Sequence, residues 1–270
     1  MYWIASYPRS GNTFLRILFK EVYGIYTWEG YGEETPQKVL DHNNNKDSKL
    51  PLFIKTHELP NKTQITHENF KTIYLVRDGR DAAVSLSYHR CNIVKPGSDF
   101  MFNLRTTIMA PFGTSFGGWS KHVKLWSAQA DIVIKFEELI SNPIKVLKKL
   151  EAIIDLPKAD YSKIPTFKDL KNKKYSLGSG NSSLSEKQQQ QRRENFFRSG
   201  KTNEWKTTLP RSLISIFNYK HGKMLQKLGY SDISKDRFIF MKLIQNYYYW
   251  FIGFLNEKLK KSKSTNERTK

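Results

Sequence analysis

The sequence has few of several features, and each shortage excludes a class of protein. Cys91 is the one cysteine in 270 residues, which excludes an internal disulfide framework and a four-cysteine zinc site. No uninterrupted apolar run reaches the length of a membrane-spanning helix. No secretory signal precedes the first predicted strand, Tyr2–Ser6. We therefore expect a reducing compartment, the cytoplasm.

Acidic residues are also in short supply. The chain has 25 Asp and Glu against 45 Lys and Arg, a formal net charge of +20, which predicts an anionic partner: nucleic acid, a phosphorylated ligand or an acidic membrane. Only 12 of the basic residues are Arg, in a chain rich in Lys and Asn, so the Arg positions carry the most information. Hydrophobic residues at 39% suffice for a folded core.

Short apolar runs alternate with helical patterns along the chain. This order predicts an α/β fold with a central parallel sheet and crossover helices. The predicted strands are Tyr2–Ser6, Leu52–Thr56, Thr72–Val76 and Ile132–Phe136. The predicted helices begin near Gly11, at Asp78, at Pro143 after the capping Asn142, and at Arg211, the last ending before Gly229.

Three polar or Gly-rich stretches are expected to be loops. His42–Lys49 is rich in Asn, and Lys168–Lys206 is basic and contains a Gln run. Asn92–Gly118 mixes proline and glycine with aromatic residues. A loop of that length is typical of a lid or substrate loop, and irregular packing is the alternative.

The segment from Ser6 to Thr13 follows a strand and opens a helix, a context suited to binding phosphate on backbone N–H groups. Against the triphosphate pattern GxxxxGK[ST], Gly11 and Thr13 match, but Asn12 replaces the lysine that contacts the β- and γ-phosphates. This replacement disfavours ATP chemistry, and the positive charge stands earlier, at Arg9. An ordinary strand–turn–helix connection is the alternative.

Further cationic and titratable residues follow other predicted strands. Arg77 stands at the end of a strand, and Ser85 lies about two helical turns later, so the two could hold one phosphate. A salt-bridge cluster of Arg77 with its charged neighbours is the alternative. Lys55 and His57 stand at another strand end, where His57 could remove a proton or could be merely structural. Arg198 beside Gly200 is a weaker signal.

These segments, in this order, resemble the PAPS-dependent sulfotransferases, especially the cytosolic type; PAPS is 3′-phosphoadenosine 5′-phosphosulfate. The resemblance covers about residues 1–228. It rests on Tyr7-Pro8-Arg9-Ser10-Gly11-Asn12-Thr13-Phe14, Lys55-Thr56-His57, Arg77 with Ser85, Gly118-Trp119 with His122-Val123 and Trp126, Phe136-Glu137-Glu138 with Asn142-Pro143, and Arg198-Ser199-Gly200 with Trp205-Lys206.

The resemblance implies a three-layer α/β/α fold with a central parallel sheet, of the P-loop-containing nucleotide-fold type. It also implies transfer of a sulfuryl group from PAPS to an acceptor hydroxyl or amine, with release of PAP, and no metal site. It implies that His57 is the general base and that Lys55 and Arg9 stabilise charge on the reacting group. The implied nucleotide contacts are the loop residues Arg9, Ser10, Gly11, Asn12 and Thr13 at the 5′-phosphate, Phe14 and Phe136 at the adenine, Arg77, Ser85 and Arg198 at the 3′-phosphate, and Ser199 and Gly200 in the late segment over the nucleotide.

Several positions depart from the family pattern. Arg9 and Phe14 replace the common Lys and Trp with their charge and aromatic face retained, whereas Ser199 removes a cationic phosphate contact. The dimer motif of cytosolic relatives is not found, so their mode of association is not expected here. The acceptor stays open among sugar, lipid, phenol and small alcohol.

Three other functions remain as alternatives. An ATP-dependent small-molecule kinase is disfavoured by Asn12 and by the lack of an acidic strand end for magnesium. A nucleic-acid-binding module would explain the charge, but no recognition motif supports it. A catalytically silent relative is also conceivable, although Arg9 and His57 are both present.

The C-terminal stretch forms the second predicted domain, residues 229–270, after a catalytic domain of residues 1–228. Phe238–Leu255 is apolar and aromatic, and six basic residues follow it in 256–270. An aromatic helix beside a basic tail could contact an anionic membrane peripherally through residues 238–270. Packing against the main domain or a partner chain is the alternative.

Overall fold

The computed structural model describes residues 1–29, 51–62, 71–109, 114, 116–173, 175, 184–233 and 236–266. The chain divides into two compact units, described separately here. The first unit is Met1–Arg77 with Lys121–Thr202, and the second is Asp78–Ser120 with Asn203–Lys270. The predicted loop His42–Lys49 lies outside the described residues, and the predicted boundary after residue 228 stays a prediction.

The first unit contains a five-stranded sheet in which all neighbouring strands are parallel, which confirms the predicted fold class. The strands are β1 Tyr2–Ser6, β2 Thr27–Trp28, β3 Phe53–Thr56, β4 Lys71–Val76 and β5 Ile132–Lys135. The four predicted strands are confirmed to within one residue at each end. The two-residue β2 was missed, because a pair of residues carries no periodicity.

The strand order β2-β3-β1-β4-β5 places the first strand at the centre of the sheet. The chain continues from β1 to β2 and β3 on one side, then to β4 and β5 on the other. In open parallel sheets, ligands bind beyond the carboxyl ends of the strands where the order reverses in this way. The segments after β1, β3 and β4 therefore surround the expected binding crevice.

Eleven α-helices occur in the described part of the chain. They are α1 Asn12–Tyr23, α2 Gly79–His89, α3 Phe100–Met109, α4 Trp119–Ser127, α5 Phe136–Ser141, α6 Pro143–Glu151, α7 Phe167–Asn172, α8 Glu186–Phe196, α9 Trp205–Thr208, α10 Arg211–Lys227 and α11 Ile239–Asn266. The predicted helices correspond to α1, α2, α6 and α10. The chain leaves α10 through Gly229, whose φ of 74° is the left-handed conformation expected of a glycine at a helix end.

Two of the predicted loops are wrong in part, because each contains a helix. Helix α3 lies within the stretch 92–118, where Leu104 and Ile108 are spaced four residues apart and are both buried. The proline and glycine residues on either side outweighed this periodicity in the prediction. Helix α8 holds the Gln run of the stretch 168–206, and Ser185 with Gln188 forms a capping box at its start.

The core of the first unit forms between the sheet and helices α1 and α6. Apolar side chains of α1 pack with those of the strands and α6, and all are at most 6% exposed: Ile4, Leu15, Leu18, Phe19, Val22, Tyr23, Ile25, Phe53, Ile73, Leu75, Ile134, Leu139, Val146, Leu147, Leu150 and Ile154. The Tyr23 hydroxyl donates to the Glu151 carboxylate at 2.7 Å, which links α1 to α6. This packing fixes the N-terminus of α1 beside the end of β1.

In the second unit, one face of α11 packs against α3. A Cβ at Gly253 would lie 2.7 Å from the Phe102 ring, and the Trp250 indole N–H donates to the Thr106 hydroxyl at 3.0 Å. The C-terminal stretch thus has a packing partner within its own unit. Among the described residues, no helix is both long enough and apolar enough to cross a bilayer.

Candidate active site

The loop between β1 and α1 has the backbone geometry of an anion-binding turn. Arg9 and Gly11 both have left-handed backbones, with φ of 68° and 95°. A Cβ at Gly11 would lie 2.8 Å from a ring carbon of Phe136, so only glycine fits there without displacement. The first N–H groups of α1, which have no intrahelical acceptor, begin directly after this turn.

Two side chains at this turn, Asn12 and Ser10, differ in their hydrogen bonding. The Asn12 amide donates to the Ile4 carbonyl oxygen at 2.8 Å and to the Ser6 hydroxyl at 3.2 Å, so it braces the loop against β1. The Ser10 hydroxyl is buried and has no hydrogen-bond partner among the described residues. A buried hydroxyl in this position fits a site that receives a phosphate or sulfate oxygen.

Three guanidinium groups meet at this loop. Burial, then the charge of Arg77 and that of Arg198, lowers the pKa of Arg9 to about 9. Arg9 donates to the Phe196 carbonyl oxygen at 2.7 Å, and its guanidinium lies 4.4 Å from the centre of the Phe196 ring. Like charges gathered in this way repel one another, and a bound anion would relieve that repulsion.

Arg77 connects the loop between β1 and α1 to the late segment of the first unit. It donates to the carbonyl oxygens of Arg9 and Lys201, at 3.1 and 2.9 Å. Its guanidinium lies over the Phe136 ring, 4.2 Å from the centroid. Phe136, proposed from the resemblance to flank adenine, is buried between Arg77 and Gly11, and its contact with adenine stays a prediction.

Lys55 stands in β3 near an ion pair between a buried arginine and a half-buried glutamate, which sequence reasoning missed. Arg16 is fully buried and donates to the Glu29 carboxylate at 2.9 Å and to the Thr27 hydroxyl at 2.6 Å. Burial, followed by the charges of Arg16 and Arg9, lowers the pKa of Lys55 to about 8, against the opposing charge of Glu29. An arginine within the apolar run of α1 was the available signal for this network.

His57 follows β3 and is held in one tautomer. Its Nδ1 lies 2.8 Å from the Ser6 carbonyl oxygen and 3.2 Å from the Ser6 hydroxyl. A carbonyl oxygen only accepts, so Nδ1 carries the proton and Nε2 carries the lone pair. Burial and the charge of Lys55 hold the pKa of His57 well below 6.5. The ring is therefore neutral at pH 7 and able to accept a proton on Nε2.

A second histidine supports the backbone of the first. The Tyr74 hydroxyl lies 3.0 Å from Nδ1 of His122, and Nε2 of His122 lies 3.0 Å from the His57 carbonyl oxygen. The Trp126 indole N–H donates to the Glu58 carbonyl oxygen at 2.9 Å. The sequence singled out His122 and Trp126 only as part of the family resemblance. Their contacts depend on tertiary structure, so the sequence did not predict them.

The remaining candidates divide between the two units. Phe14 packs with the first unit's small cluster of Ile17, Leu170, Tyr175 and Phe197. Arg198 and Ser199 are half-buried, and Gly200, with φ of 61°, passes so close to Phe167 that a Cβ would lie 2.5 Å from its ring. Ser85 is half-buried on α2 in the second unit, and its pairing with Arg77 stays a prediction.

The predicted salt-bridge alternative near Arg77 is present in part, in the second unit. Arg80 pairs with Asp78 at 2.7 Å and lies over the Trp205 ring, 3.7 Å from its centroid. Asp81 accepts hydrogen bonds from the backbone N–H groups of Asn203 and Trp205, at 2.7 and 2.9 Å. The charged residues after Arg77 are thus structural.

The family model described as Sulfotransferase domain matches residues 1–229. Sulfotransferase 1E1 of Mus musculus is 27% identical over 252 residues, 83% of this chain and 82% of that protein. Sulfotransferase 1A1 of Canis lupus familiaris is 24% identical over 256 residues, 84% of each. The solved structure of mouse sulfotransferase SULT7A1 complexed with PAP shares the fold, with a TM-score of 0.62, 21% identity and coverage of 86% of each chain.

Proposed function

This chain belongs to the sulfotransferase domain family, and from that premise we propose that it transfers a sulfuryl group from PAPS to an acceptor hydroxyl or amine. PAP is then the nucleotide product. Two kinds of finding support the proposal: the family match over most of the chain, and the similar fold of a mouse sulfotransferase that was solved as a complex with PAP. We propose a small-molecule acceptor, whose identity the residues do not specify.

The observation that carries the proposal is that several cations lie together beyond the carboxyl ends of the central strands, where the order of the strands reverses. Arg9 follows β1, Lys55 lies at the end of β3 and Arg77 follows β4. The charges of Arg77 and Arg198 act on Arg9, and the charge of Arg9 acts on Lys55. Together with the helix N-terminus and the buried Ser10 hydroxyl, they suit a ligand with several phosphate or sulfate groups.

In the proposed reaction, the acceptor oxygen or nitrogen attacks sulfur as its proton passes to Nε2 of His57. The bond between sulfur and the bridging oxygen of the 5′-phosphate breaks, and the electron pair leaves with PAP. Lys55 and Arg9 stabilise the negative charge that builds on the transferred group and the leaving phosphate. Catalysis then comes mainly from positioning and from fixed positive charge, with no covalent enzyme intermediate.

Binding of the nucleotide is proposed for two ends of one ligand. The backbone N–H groups of residues 10–13 hold the 5′-phosphate, and Phe14 with Phe136 provides aromatic contact to the adenine. Arg77, Ser85 and Arg198 hold the 3′-phosphate, with Ser199 and Gly200 in the late segment over the nucleotide. The 3′-phosphate contacts would distinguish PAPS from ATP, which has a hydroxyl at that position.

The kinase alternative fits the loop less well. The side chain at the position of the essential lysine, Asn12, donates to Ile4 and Ser6 of β1, which supports a structural role for it. We propose accordingly that no triphosphate is the substrate and that nucleic acid is not the partner. We also propose a cytoplasmic enzyme whose catalytic domain is residues 1–228.

The proposed function is tested by incubating the chain with PAPS labelled in its sulfate and a panel of acceptors containing phenols, sugars, sterols and small alcohols or amines. We expect label to move to one acceptor class, with one PAP formed for each acceptor modified. A thermal-shift assay accompanies it, in which PAP stabilises the fold and ATP with magnesium does not. Stabilisation by ATP with magnesium but not by PAP would contradict the proposal.

A further inference from the structure

The C-terminal helix α11 has two faces of different character. On the inner face, Ile239, Asn246 and Glu257 are buried, and Gly253 lies against Phe102 of α3. Hydrogen bonds from Tyr247 to the Met109 carbonyl oxygen and from Trp250 to the Thr106 hydroxyl attach the same helix to α3. The helix is thus fixed in rotation, and its opposite face points away from α3.

That opposite face, called here the outer face, is apolar and exposed. Its residues recur every three or four positions and are between 40% and 72% exposed: Phe240, Ile244, Tyr248, Phe251, Leu255 and Leu259. A continuous apolar stripe of five turns on the surface of one chain is typical of an interaction site rather than of an ordinary surface.

The charges around the outer face have one sign. Between Ile239 and Leu259 the helix has a single acidic residue, Glu257, and this carboxylate is buried on the inner face and paired with Lys95. Lys258 borders the stripe, with its ammonium group 4.8 Å from the centre of the Phe254 ring. Lys260, Lys261 and Lys263 follow in the sequence. An apolar and aromatic stripe bordered by lysine suits a partner that is apolar inside and anionic at its surface.

We propose that the outer face of α11 docks on an anionic lipid bilayer. The aromatic and aliphatic side chains enter the boundary between headgroups and acyl chains, and Lys258 meets the anionic headgroups. A second copy of this chain fits less well, because a symmetric contact through this face would bring together two molecules of formal charge +20. This inference does not depend on the proposed enzymatic activity.

The test measures co-sedimentation of the full chain with vesicles of phosphatidylcholine containing phosphatidylserine, against vesicles of phosphatidylcholine alone. We expect binding to the anionic vesicles that weakens as salt is raised, and little binding to the neutral ones. Replacing Phe240, Ile244 and Phe251 together by Ser should weaken binding by at least about tenfold, because these side chains supply the buried apolar area. All three are exposed, so the fold should survive, which far-UV circular dichroism checks.

A matched control triple removes exposed apolar side chains elsewhere: Val94→Ser, Ile144→Ser and Ile153→Ser. It should bind vesicles as the unaltered chain does. Three results would overturn the proposal: no binding of the full chain to anionic vesicles, equal loss of binding in both triples, or a dimer in sedimentation velocity that the outer-face triple converts to monomer while vesicle binding is unaffected.

Discussion

At the scale of single residues, the contact between His57 Nδ1 and the Ser6 carbonyl oxygen, at 2.8 Å, matters most for the chemistry. It assigns the proton to Nδ1 and the lone pair to Nε2, the arrangement that a general base needs. The low pKa of the ring has the same consequence, since a neutral imidazole is present throughout the neutral range. Ser6 closes β1 and His57 follows β3, so two paired strands set this geometry.

We predict that His57→Ala lowers the rate of sulfuryl transfer by about 10²- to 10⁴-fold and leaves the affinity for PAP unchanged, because the base is lost and the phosphate contacts remain. Single-turnover kinetics and calorimetric titration with PAP measure the two effects. The control is His89→Ala, which replaces a histidine of α2 in the second unit and should retain the rate. Normal turnover in His57→Ala would refute the general-base role.

The rate of the unaltered chain should show no acid limb at the ordinary histidine pKa of 6.5. The pKa of His57 is lowered, so the neutral base is present above that lower value and is lost only when the pH falls through it. A pH–rate profile in single turnover measures this. A loss of rate centred near pH 6.5 would show that the burial of His57 does not act as described.

Lys55 gives a prediction of the opposite sign. With its pKa lowered to about 8, the ammonium group is protonated at pH 7 and largely neutral at pH 9. A bound phosphate favours the charged form, so PAP binding should take up a proton near pH 8 and weaken as the pH rises above 8. Calorimetry in two buffers of different ionisation enthalpy measures the uptake. Lys55→Arg should remove most of the uptake at pH 8, where Arg9, with its pKa lowered to about 9, is still mostly protonated. Undiminished uptake at pH 8 in this variant would assign the proton elsewhere.

At the scale of secondary-structure elements, the turn into α1 depends on a glycine that no other residue can replace without strain. Gly11 has both a left-handed backbone and the Phe136 ring where a Cβ would stand, whereas Gly24, at the other end of α1, has a left-handed backbone and nothing within 4 Å. A side chain at Gly11 would therefore meet both backbone strain and a clash with Phe136, whereas a side chain at Gly24 would meet backbone strain alone.

We predict that Gly24→Ala lowers the free energy of unfolding by about 1 kcal/mol, the cost of the left-handed backbone. Gly11→Ala should lower it by about 3 kcal/mol, because the methyl group must also displace Phe136. Urea unfolding followed by circular dichroism compares the two. Equal losses would mean that the contact between Gly11 and Phe136 does not constrain the loop.

The elements differ in how far the sequence predicts them. Buried parallel strands are short continuous apolar runs, so β1, β3, β4 and β5 were found within a residue. Helix α3 was mistaken for a loop because proline and glycine lie close on both sides, although Leu104 and Ile108 already had helical spacing. The nearby proline and glycine predicted a loop and the spacing of Leu104 and Ile108 predicted a helix. Burial of these two side chains in the folded chain favours the helix.

At the scale of the whole molecule, the candidate site was predictable where its residues follow strands. Arg9, His57 and Arg77 stand just beyond the carboxyl ends of β1, β3 and β4, and parallel pairing alone brings those ends together. The pair of Arg16 with Glu29 was not predictable, because nothing local to either residue names its partner. The same holds for the support that His122 gives to the His57 backbone.

The basic residues behind the formal charge of +20 can be divided into groups by their surroundings. Four cations interact electrostatically near the loop between β1 and α1: Arg9, Lys55, Arg77 and Arg198. Lys258 borders the outer face of α11. The remaining lysines do not require a specific binding partner, because lysine side chains are ordinarily exposed to water on a protein surface.

The most direct test of the central claim is a calorimetric comparison of PAP with adenosine 5′-monophosphate, which lacks the 3′-phosphate. Charge-assisted hydrogen bonds to the 3′-phosphate contribute about 1.5 to 3 kcal/mol each, so PAP should bind at least about a hundredfold more tightly. Arg77→Gln should remove most of that difference. Equal affinities for the two nucleotides, or tighter binding of ATP with magnesium, would contradict the assignment of this chain to PAPS chemistry.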